Sequence, residues 1–525
     1  MTLDPHTSSP CVDKVLPTRL AEGDVTYSRP LAATENGFLA QRGDYGEFDF
    51  FTLLKIDCSA SLIITDDQVT LALTALRLRH PFLASRVSFT SPTPHIVYTY
   101  PFNEGHAIGE ARAHIEFATF HERDGAAKAL HDRWTDVDLA RYVIDVRNTL
   151  IAAVWFKGVG PATGQYIFGM QNPHLILDGR RQLNLVRQFL ELLADPDLAQ
   201  DELARRFILP PSVVKLPQSL ESLAPDIFTC STDEIEKGKT AFDNVMKWSS
   251  KPLSGLCPDG PLQGTKVAPR LLRHTWSQSD TLAILHACKS QGVTITQLIL
   301  ASMAVAAIPS IHSSAEPSAA LEDNLSTSDP DDSYYFHVTL PIDLGERLMR
   351  PAGSDESALT AAMYPIFIRI PKSIPPNASD MASIWLVARE CKEHHKAWID
   401  SPHFWHLNCH YNIYVNRIIC DLAAGKPALP SCSNLGDCTK LLPSRYAVAS
   451  YEKGTDTVAK GPDEEIRIAD MVIAGKANAL LMLMSMWTFD GKFNLQLRHN
   501  TLRMRNALID TYFAGIIDVV TRAGA

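Results

Sequence analysis

His174 and Asp178 stand four residues apart in the run Gln171-Asn172-Pro173-His174-Leu175-Ile176-Leu177-Asp178-Gly179-Arg180. An imidazole and a carboxylate at that spacing suit proton transfer. A neutral imidazole accepts a proton near pH 7 because its unperturbed pKa is about 6.5. Asp178 either fixes the tautomer of that ring or braces the turn through a distant arginine. Pro173 restricts the backbone before the histidine, and Gly179 permits a tight turn or a close approach after it.

The neighbouring patterns say what must hold these residues. A β-rich run, Gln165 to Met170, leads in, and Leu183, Val186, Phe189, Leu190 and Leu193 then recur at helical spacing between Arg181 and Leu193. His174 therefore falls where a strand has ended and a helix has not begun. Upstream, Phe48 to Ile56 reads as a strand, and Thr65 with Gln68 forms a capping box for a helix closing at Arg79-His80-Pro81. Ser85 to Phe89, His95 to Tyr100, Tyr142 to Arg147 and Leu150 to Phe156 complete the strand candidates of the first part.

Prolines and small polar residues crowd Pro210 to Pro225 and Pro252 to Pro269, which suggests a boundary. The expected division is residues 1–210, a linker or crossover over 211–269, and a second domain over 270–525. In that second domain Arg270 to Trp276 reads as a strand, and Ser277 caps a helix that Gly292 follows. Thr294 and Gln297 cap an apolar, buried helix through Ala307. Residues 309–332, acidic and without a lysine or arginine, read as a mobile solvated loop. Tyr334 to Ile342, Met363 to Ile370 and Asn412 to Ile419 read as strands. Ala479 to Phe489 and Phe493 to His499 form a hairpin through Asp490-Gly491, and a last helix covers Arg505 to Thr521. The fold class is mixed α/β, with helices covering sheets.

A chain of 525 residues is long enough for two cores. Its net charge of −10 argues against nucleic acid as a partner, since such binders carry a basic stripe. Met1 to Glu22 lacks the apolar core of a signal peptide, and Ile295 to Ile308 is too short and polar for a membrane span. With no C-x-x-C pair among ten scattered cysteines, reduced thiols and a cytoplasmic location are expected.

The His174-x-x-x-Asp178-Gly179 signature resembles that of chloramphenicol acetyltransferase-like enzymes, a superfamily that includes alcohol acetyltransferases, polyketide-associated acyltransferases and peptide-synthetase condensation domains. Leu78 to Arg86, Lys289-x-x-Gly292-Val293-Thr294, Ser433-Asn434-Leu435-Gly436 and Met486-Trp487-x-x-Asp490-Gly491 resemble further segments in family order. The nearest branch is similar to the fungal trichothecene 15-O-acetyltransferase-like group. The resemblance implies two similar domains with an active-site tunnel at their interface. It implies an acyl-CoA-dependent transfer, of acetyl first, to a hydroxyl of a secondary metabolite such as a terpenoid or polyketide. His174 would be the general base, Asp178 a structural residue paired with an arginine, and Gly179 would keep the site uncrowded. Backbone N–H groups near Gly179, or the Ser485 or Trp487 side chains, would face the oxyanion; Ser433 and Asn434 join the substrate-binding candidates. Acetyl-CoA or another acyl-CoA is then a co-substrate, with no resident cofactor or metal, and the chain is expected to be a monomer.

Departures narrow this. Pro173 replaces the first histidine of the double-histidine form found in condensation domains, which favours a plain acyltransferase. The Asp-Phe-Gly-Trp-Gly motif of plant enzymes is absent. The family's arginine falls at Gly345, leaving Arg347 or Arg350 as candidate partners of Asp178. A carrier-protein thioester as donor, or a non-acylating cyclase or binding scaffold, remain the alternatives.

His394, His395, His403, His406 and His410 invite a metal reading, since His403 and His406 have ligand spacing. No carboxylate follows at useful spacing and Pro402 interrupts a helix, so packing or an aromatic acceptor wall accounts for them better. Gly158-x-Gly160-x-x-x-Gly164 lacks the dinucleotide-binding spacing and reads as a loop. Cys432 and Cys438 read as packing residues.

Overall fold

The structure is a computed structural model of the chain. It describes residues 16–19, 25–42, 46–59, 62–135, 143–208, 216–224, 231–250, 255–256, 269–313, 332–348, 359–374, 380–408, 410–411, 429–449, 464–476, 481–502 and 504–525. Two compact units emerge: Met1–Pro225 with Gly345–Thr360 and Asp437–Lys476, and Asp226–Leu344 with Ala361–Gly436 and Ala477–Ala525.

The main sheet of the first unit runs in the order β13 (Arg445–Ala447), β14 (Glu465–Gly475), β3 (Phe50–Cys58), β8 (Gln165–Asn172), β7 (Ala152–Gly158), β6 (Ile115–Phe120). Only the β6–β7 pair in it is parallel. A smaller sheet orders β1 (Leu16–Arg19), β2 (Val25–Pro30), β5 (His95–Thr99) and β4 (Ser85–Ser88). The helices are α1 (Ala33–Arg42), α2 (Asp66–Arg79), α3 (Glu104–Ala113), α4 (Arg123–Thr135), α5 (Gly179–Ala194), α6 (Pro196–Ile208) and α7 (Leu220–Leu223). Strand β8 is central and covered on both faces, which explains its nearly unbroken apolar run. On one face Phe168 stacks on Phe189 of α5 at 4.3 Å. On the other, Gly169 admits the Trp134 ring of α4, which a Cβ would meet at 2.5 Å.

The second unit's sheet runs β11 (Ala361–Pro371), β10 (Ser333–Asp343), β12 (Leu429–Asp437), β15 (Leu481–Phe489), β16 (Lys492–Asn500), β9 (Pro269–Thr275). Its helices are α8 (Thr232–Met246), α9 (Gln278–Ser290), α10 (Ile295–Ser313), α11 (Met381–Ile399) and α12 (Asn506–Gly524). The mixed α/β class, with a helix-covered sheet in each unit, is the one expected. The β15–β16 hairpin turns at Asp490 and Gly491, both at positive φ (49° and 73°), which suits Asp-Gly. Taken singly, no described helix is long and apolar enough to cross a membrane; α9 and α10 pass that test only jointly, with a 91° bend between them.

Several expectations need correction. The contiguous division 1–210, 211–269 and 270–525 is replaced by an interleaved one, because β14 pairs with β3 inside the first unit's sheet. The expected linker contains α7 and α8, the latter opened by a capping box between Ser231 and Glu234. The end of the run Tyr142 to Arg147 is a turn and not a strand: Asp145 accepts from the N–H of Arg147 through its side chain and from those of Asn148 and Thr149 through its carbonyl. Helix α10 continues to Ser313, past Pro309. The strand expected at 412–419 and residues 314–331 of the acidic loop lie outside the described residues.

His337 of β10 is buried, its Nε2 lies 3.2 Å from the Tyr411 hydroxyl, and burial pushes its pKa down to about 3. The unfolded chain, with a pKa of about 6.5, binds the proton more readily. The neutral ring therefore contributes its full stability above about pH 6.5, and that contribution is lost as pH falls toward about 3. His337→Phe keeps a ring on Phe367 and leaves the Tyr411 hydroxyl its Thr339 partner at 2.7 Å. Urea midpoints measured from about pH 6.5 to about pH 4 should fall less in this variant than in the parent; an equal fall would clear His337 of responsibility.

Candidate active site

Strand β8 ends at Asn172 and α5 begins at Gly179, so His174 occupies the connecting turn, where the Ile176 N–H donates to the Pro173 carbonyl. A buried amide lattice fixes both ends of that connection. Gln182, in the first turns of α5, accepts from the Thr52 hydroxyl of β3 at 2.9 Å. Its Nε2 donates to the Met170 carbonyl at 2.9 Å and to Asn172 Oδ1 at 3.3 Å. Asn172 Nδ2 in turn donates to the Leu150 carbonyl at 2.8 Å. Such a lattice gives the turn little freedom, because breaking any member strands a buried polar group.

Asp178 is the N-cap of α5 and almost wholly buried, 7% exposed. Its Oδ1 accepts from the N–H groups of Arg180 and Arg181, each at 3.1 Å. Its Oδ2 accepts from the Thr360 N–H at 3.1 Å and the Thr360 hydroxyl at 3.3 Å. An arginine does stand near it, but from the same helix: Arg181 Nη1 is 3.8 Å from Oδ1. Thr360 was not anticipated as a partner. Arg347 is in the described 3-10 turn Gly345–Arg347, and Arg350 lies outside the described residues. The main-chain donors of Arg180 and Arg181 are taken up by Asp178, which removes them from the backbone groups proposed for an oxyanion.

The imidazole itself is held by aromatic faces. Phe38 of α1 stacks on it with centroids 4.6 Å apart and planes 1° from parallel, and Phe50 of β3 leans on it at 4.9 Å and 46°. Buried ion pairs secure α1 near each end. Arg29 grips Glu35 at 2.7 and 2.6 Å, and Arg42 grips Asp49 at 2.6 and 2.8 Å. Burial pushes the His174 pKa below the ordinary imidazole range; the His174 and Leu177 main chain and the Asp178 carboxylate push it the other way, and burial prevails. Nδ1 is enclosed and makes no hydrogen bond of normal geometry, although those main-chain groups lie close enough to act on it. Nε2 is thus the nitrogen left for a reacting partner. The ring is neutral at pH 7 and has the form of a base.

The remaining predicted residues lie in the second unit. Ser485 and Trp487 are buried neighbours on β15 and point to the same face. Ser433 and Asn434 are on β12, where Asn434 donates to the Thr296 hydroxyl at 2.7 Å and accepts from the Gly436 N–H at 2.8 Å, a turn-bracing arrangement. The residues that the sequence reading missed share the Trp487 face: Asn494, Gln496 and Arg498 on β16. Their only signal is polar alternation, which on a strand ordinarily marks a solvent face.

Among the described residues no group of three or more His, Cys, Asp or Glu side chains is placed to hold a metal ion. The histidines separate: His395 Nδ1 is 2.7 Å from the Tyr364 hydroxyl, His406 lies against Gly238 of α8, and the His410 ring is 5.4 Å from Phe242. Burial holds the Cys432 thiol above its ordinary range and Cys438 up to about 12, so neither is a thiolate nucleophile at neutral pH.

No family model matches the chain, and no curated protein matches it in sequence. Solved structures do match. The trichothecene 15-O-acetyltransferase of Fusarium sporotrichioides is similar with a TM-score of 0.74 at 16% identity, covering 98% of both chains. The first condensation domain of the calcium-dependent antibiotic synthetase gives 0.59 at 13% identity over 94% of this chain and 96% of its own. Polyketide synthase associated protein 5 of Mycobacterium tuberculosis gives 0.56 at 14% identity over 95% and 98%. The chain thus shares the fold of that acetyltransferase and of the condensation domain.

If Asp178 braces the turn, Asp178→Ala should cost about 3 kcal/mol, from the lost cap and the orphaned Thr360 donors. His174→Ala gives up ring contacts rather than hydrogen bonds and should cost clearly less than that. Urea denaturation of the two variants distinguishes them; comparable losses would contradict the division of labour.

Proposed function

We propose that this chain is an O-acyltransferase that moves an acyl group, acetyl in the first instance, from coenzyme A to a hydroxyl of a secondary metabolite such as a terpenoid or polyketide. The observation that carries the reading is the neutral imidazole of His174, clasped by Phe38 and Phe50 beside a carboxylate committed elsewhere. The shared fold with the trichothecene 15-O-acetyltransferase supports it.

In this mechanism Nε2 of His174 takes the proton from the acceptor hydroxyl as its oxygen attacks the thioester carbonyl. The resulting oxyanion collapses, the carbon–sulfur bond breaks, and the imidazolium returns the proton to the departing thiolate. The products are an ester and coenzyme A. No covalent intermediate on the protein is needed; alignment and one base suffice. Asp178 does not handle the proton, because its lone pairs are directed to Arg180, Arg181 and Thr360; it acts through the turn and through the charge that favours the imidazolium. Ser485 and Trp487 are retained as candidates for the oxyanion.

His174→Ala should cut thiol release from acetyl-CoA with a hydroxylated sesquiterpenoid acceptor by at least about a hundredfold, the usual scale for a lost general base, while the protein stays folded. Full activity would remove His174 from the mechanism. Because burial lowers the His174 pKa, the base is unprotonated at neutrality, and the acid limb of kcat/KM should have its midpoint below about 6.5. Glu47, pushed up to about 7 by burial, titrates near the same aromatic cluster. The limb should therefore persist in Glu47→Gln; its disappearance there would assign it to the carboxyl instead.

A further inference from the structure

The second unit's sheet has one face packed on helices and another that is polar yet buried. On the helix side Phe493 stacks on Trp276 at 5.1 Å, and Trp276 Nε1 donates to Thr521 of α12 at 3.0 Å. Alternation along β16 then directs Asn494, Gln496, Arg498 and Asn500 to the opposite face. Their cross-strand partners on that face include Trp487 and Ser485 of β15 and Arg273 of β9. Instead of standing in solvent, all of the β16 residues named are nearly inaccessible.

One end of this face is bonded internally. Arg273 Nη2 and the Thr275 hydroxyl both donate to Asn494 Oδ1, at 2.7 and 2.9 Å, and the Arg273 guanidinium lies 5.6 Å from the Trp487 ring centre. The other end is not. Arg498 is 1% exposed, and none of Nε, Nη1 and Nη2 has a hydrogen-bond partner among the described residues. Burial alone acts on its ionisation, lowering its pKa to about 9 with no carboxylate among the described residues opposing it, so it remains a cation at neutral pH. An unanswered buried cation is strongly unfavourable in a free protein. A planar guanidinium fork matches a carboxylate in two parallel hydrogen bonds. The doubly charged phosphates of coenzyme A would call for more than one cation, whereas a single guanidinium with the Gln496 amide next along its face balances one negative charge.

We propose that Arg498, with Gln496 next to it on the same sheet face, forms a buried site for a carboxylate carried by a substrate. This deepens the acyltransferase reading and rests on it for the carboxylate's origin, which is either a dicarboxylic acyl group or an acidic alcohol acceptor. Arg498 is a binding residue here and takes no part in moving the proton.

The test uses the full chain and its Arg498→Met and Arg498→Lys variants. Without ligand, Arg498→Met should melt higher than the parent, since it removes an unpaired buried charge while filling the space. An unchanged or lower Tm would mean that the guanidinium already has partners, and would overturn the proposal. Calorimetry then compares malonyl-CoA with acetyl-CoA, and gibberellic acid with its methyl ester. The parent should bind the acid of one pair at least about tenfold tighter than its uncharged counterpart, and which pair does so identifies the source. Arg498→Met should abolish that preference and Arg498→Lys should keep part of it. Preference in neither pair, or preference surviving in Arg498→Met, would overturn the site. His174→Ala must keep the preference; an intact preference in a parent that transfers no acyl group would count against the acyltransferase reading alone.

Discussion

A carboxylate shut away at the start of a helix must be answered by donors, and the answer to Asp178 organises the turn that carries His174. Two of its donors are the first free N–H groups of α5, which any helix leaves without internal partners. The others are the main chain and hydroxyl of Thr360, a residue far along the sequence. One side chain thereby starts α5 and ties a distant segment to it, while Gln182 secures the end of β8. The imidazole between those ends inherits a fixed place without needing a bond of its own.

Aromatic packing completes what the carboxylate begins. Phe38 can lie flat on His174 only if α1 keeps its position and rotation. The pairs Arg29–Glu35 and Arg42–Asp49 hold that helix at sites where breaking one partner would leave an uncompensated charge. Rings on the imidazole exclude water from its face and lower its affinity for a proton. Packing is thus the means by which the fold sets a protonation state.

The local grammar of the fold was legible. Thr65 with Gln68, Ser277 before α9 and Asp490-Gly491 in the hairpin act through neighbours a few residues away, and each does what its type and spacing suggest. What stayed hidden was non-local. Asp178 and Thr360 are joined by the fold, and the pairing of β14 with β3 crosses most of the chain, so no window of residues reports either. Val143 to Arg147 misled because its apolar alternation outweighed Asp145, whose side chain and carbonyl offer the backbone a turn instead. The series Asn494, Gln496, Arg498, Asn500 stayed hidden for another reason: its alternation is correct for a strand, but alternation cannot say whether the polar side meets water or protein.

Two of the buried charges of this molecule, Asp178 and Arg498, therefore mean different things. Hydrogen bonds surround Asp178 so completely that it has no capacity left for a substrate; its chemistry is finished when the chain folds. Arg498 has no such partners among the described residues, and folding has left its chemistry open. A charge satisfied from within reports how a structure stands, whereas a charge kept dry and unanswered is a cost that folding alone does not explain. The difference between them rests on hydrogen-bonding capacity and not on position in a motif. It can separate scaffold from binding surface even where sequence identity to known structures falls to 16%.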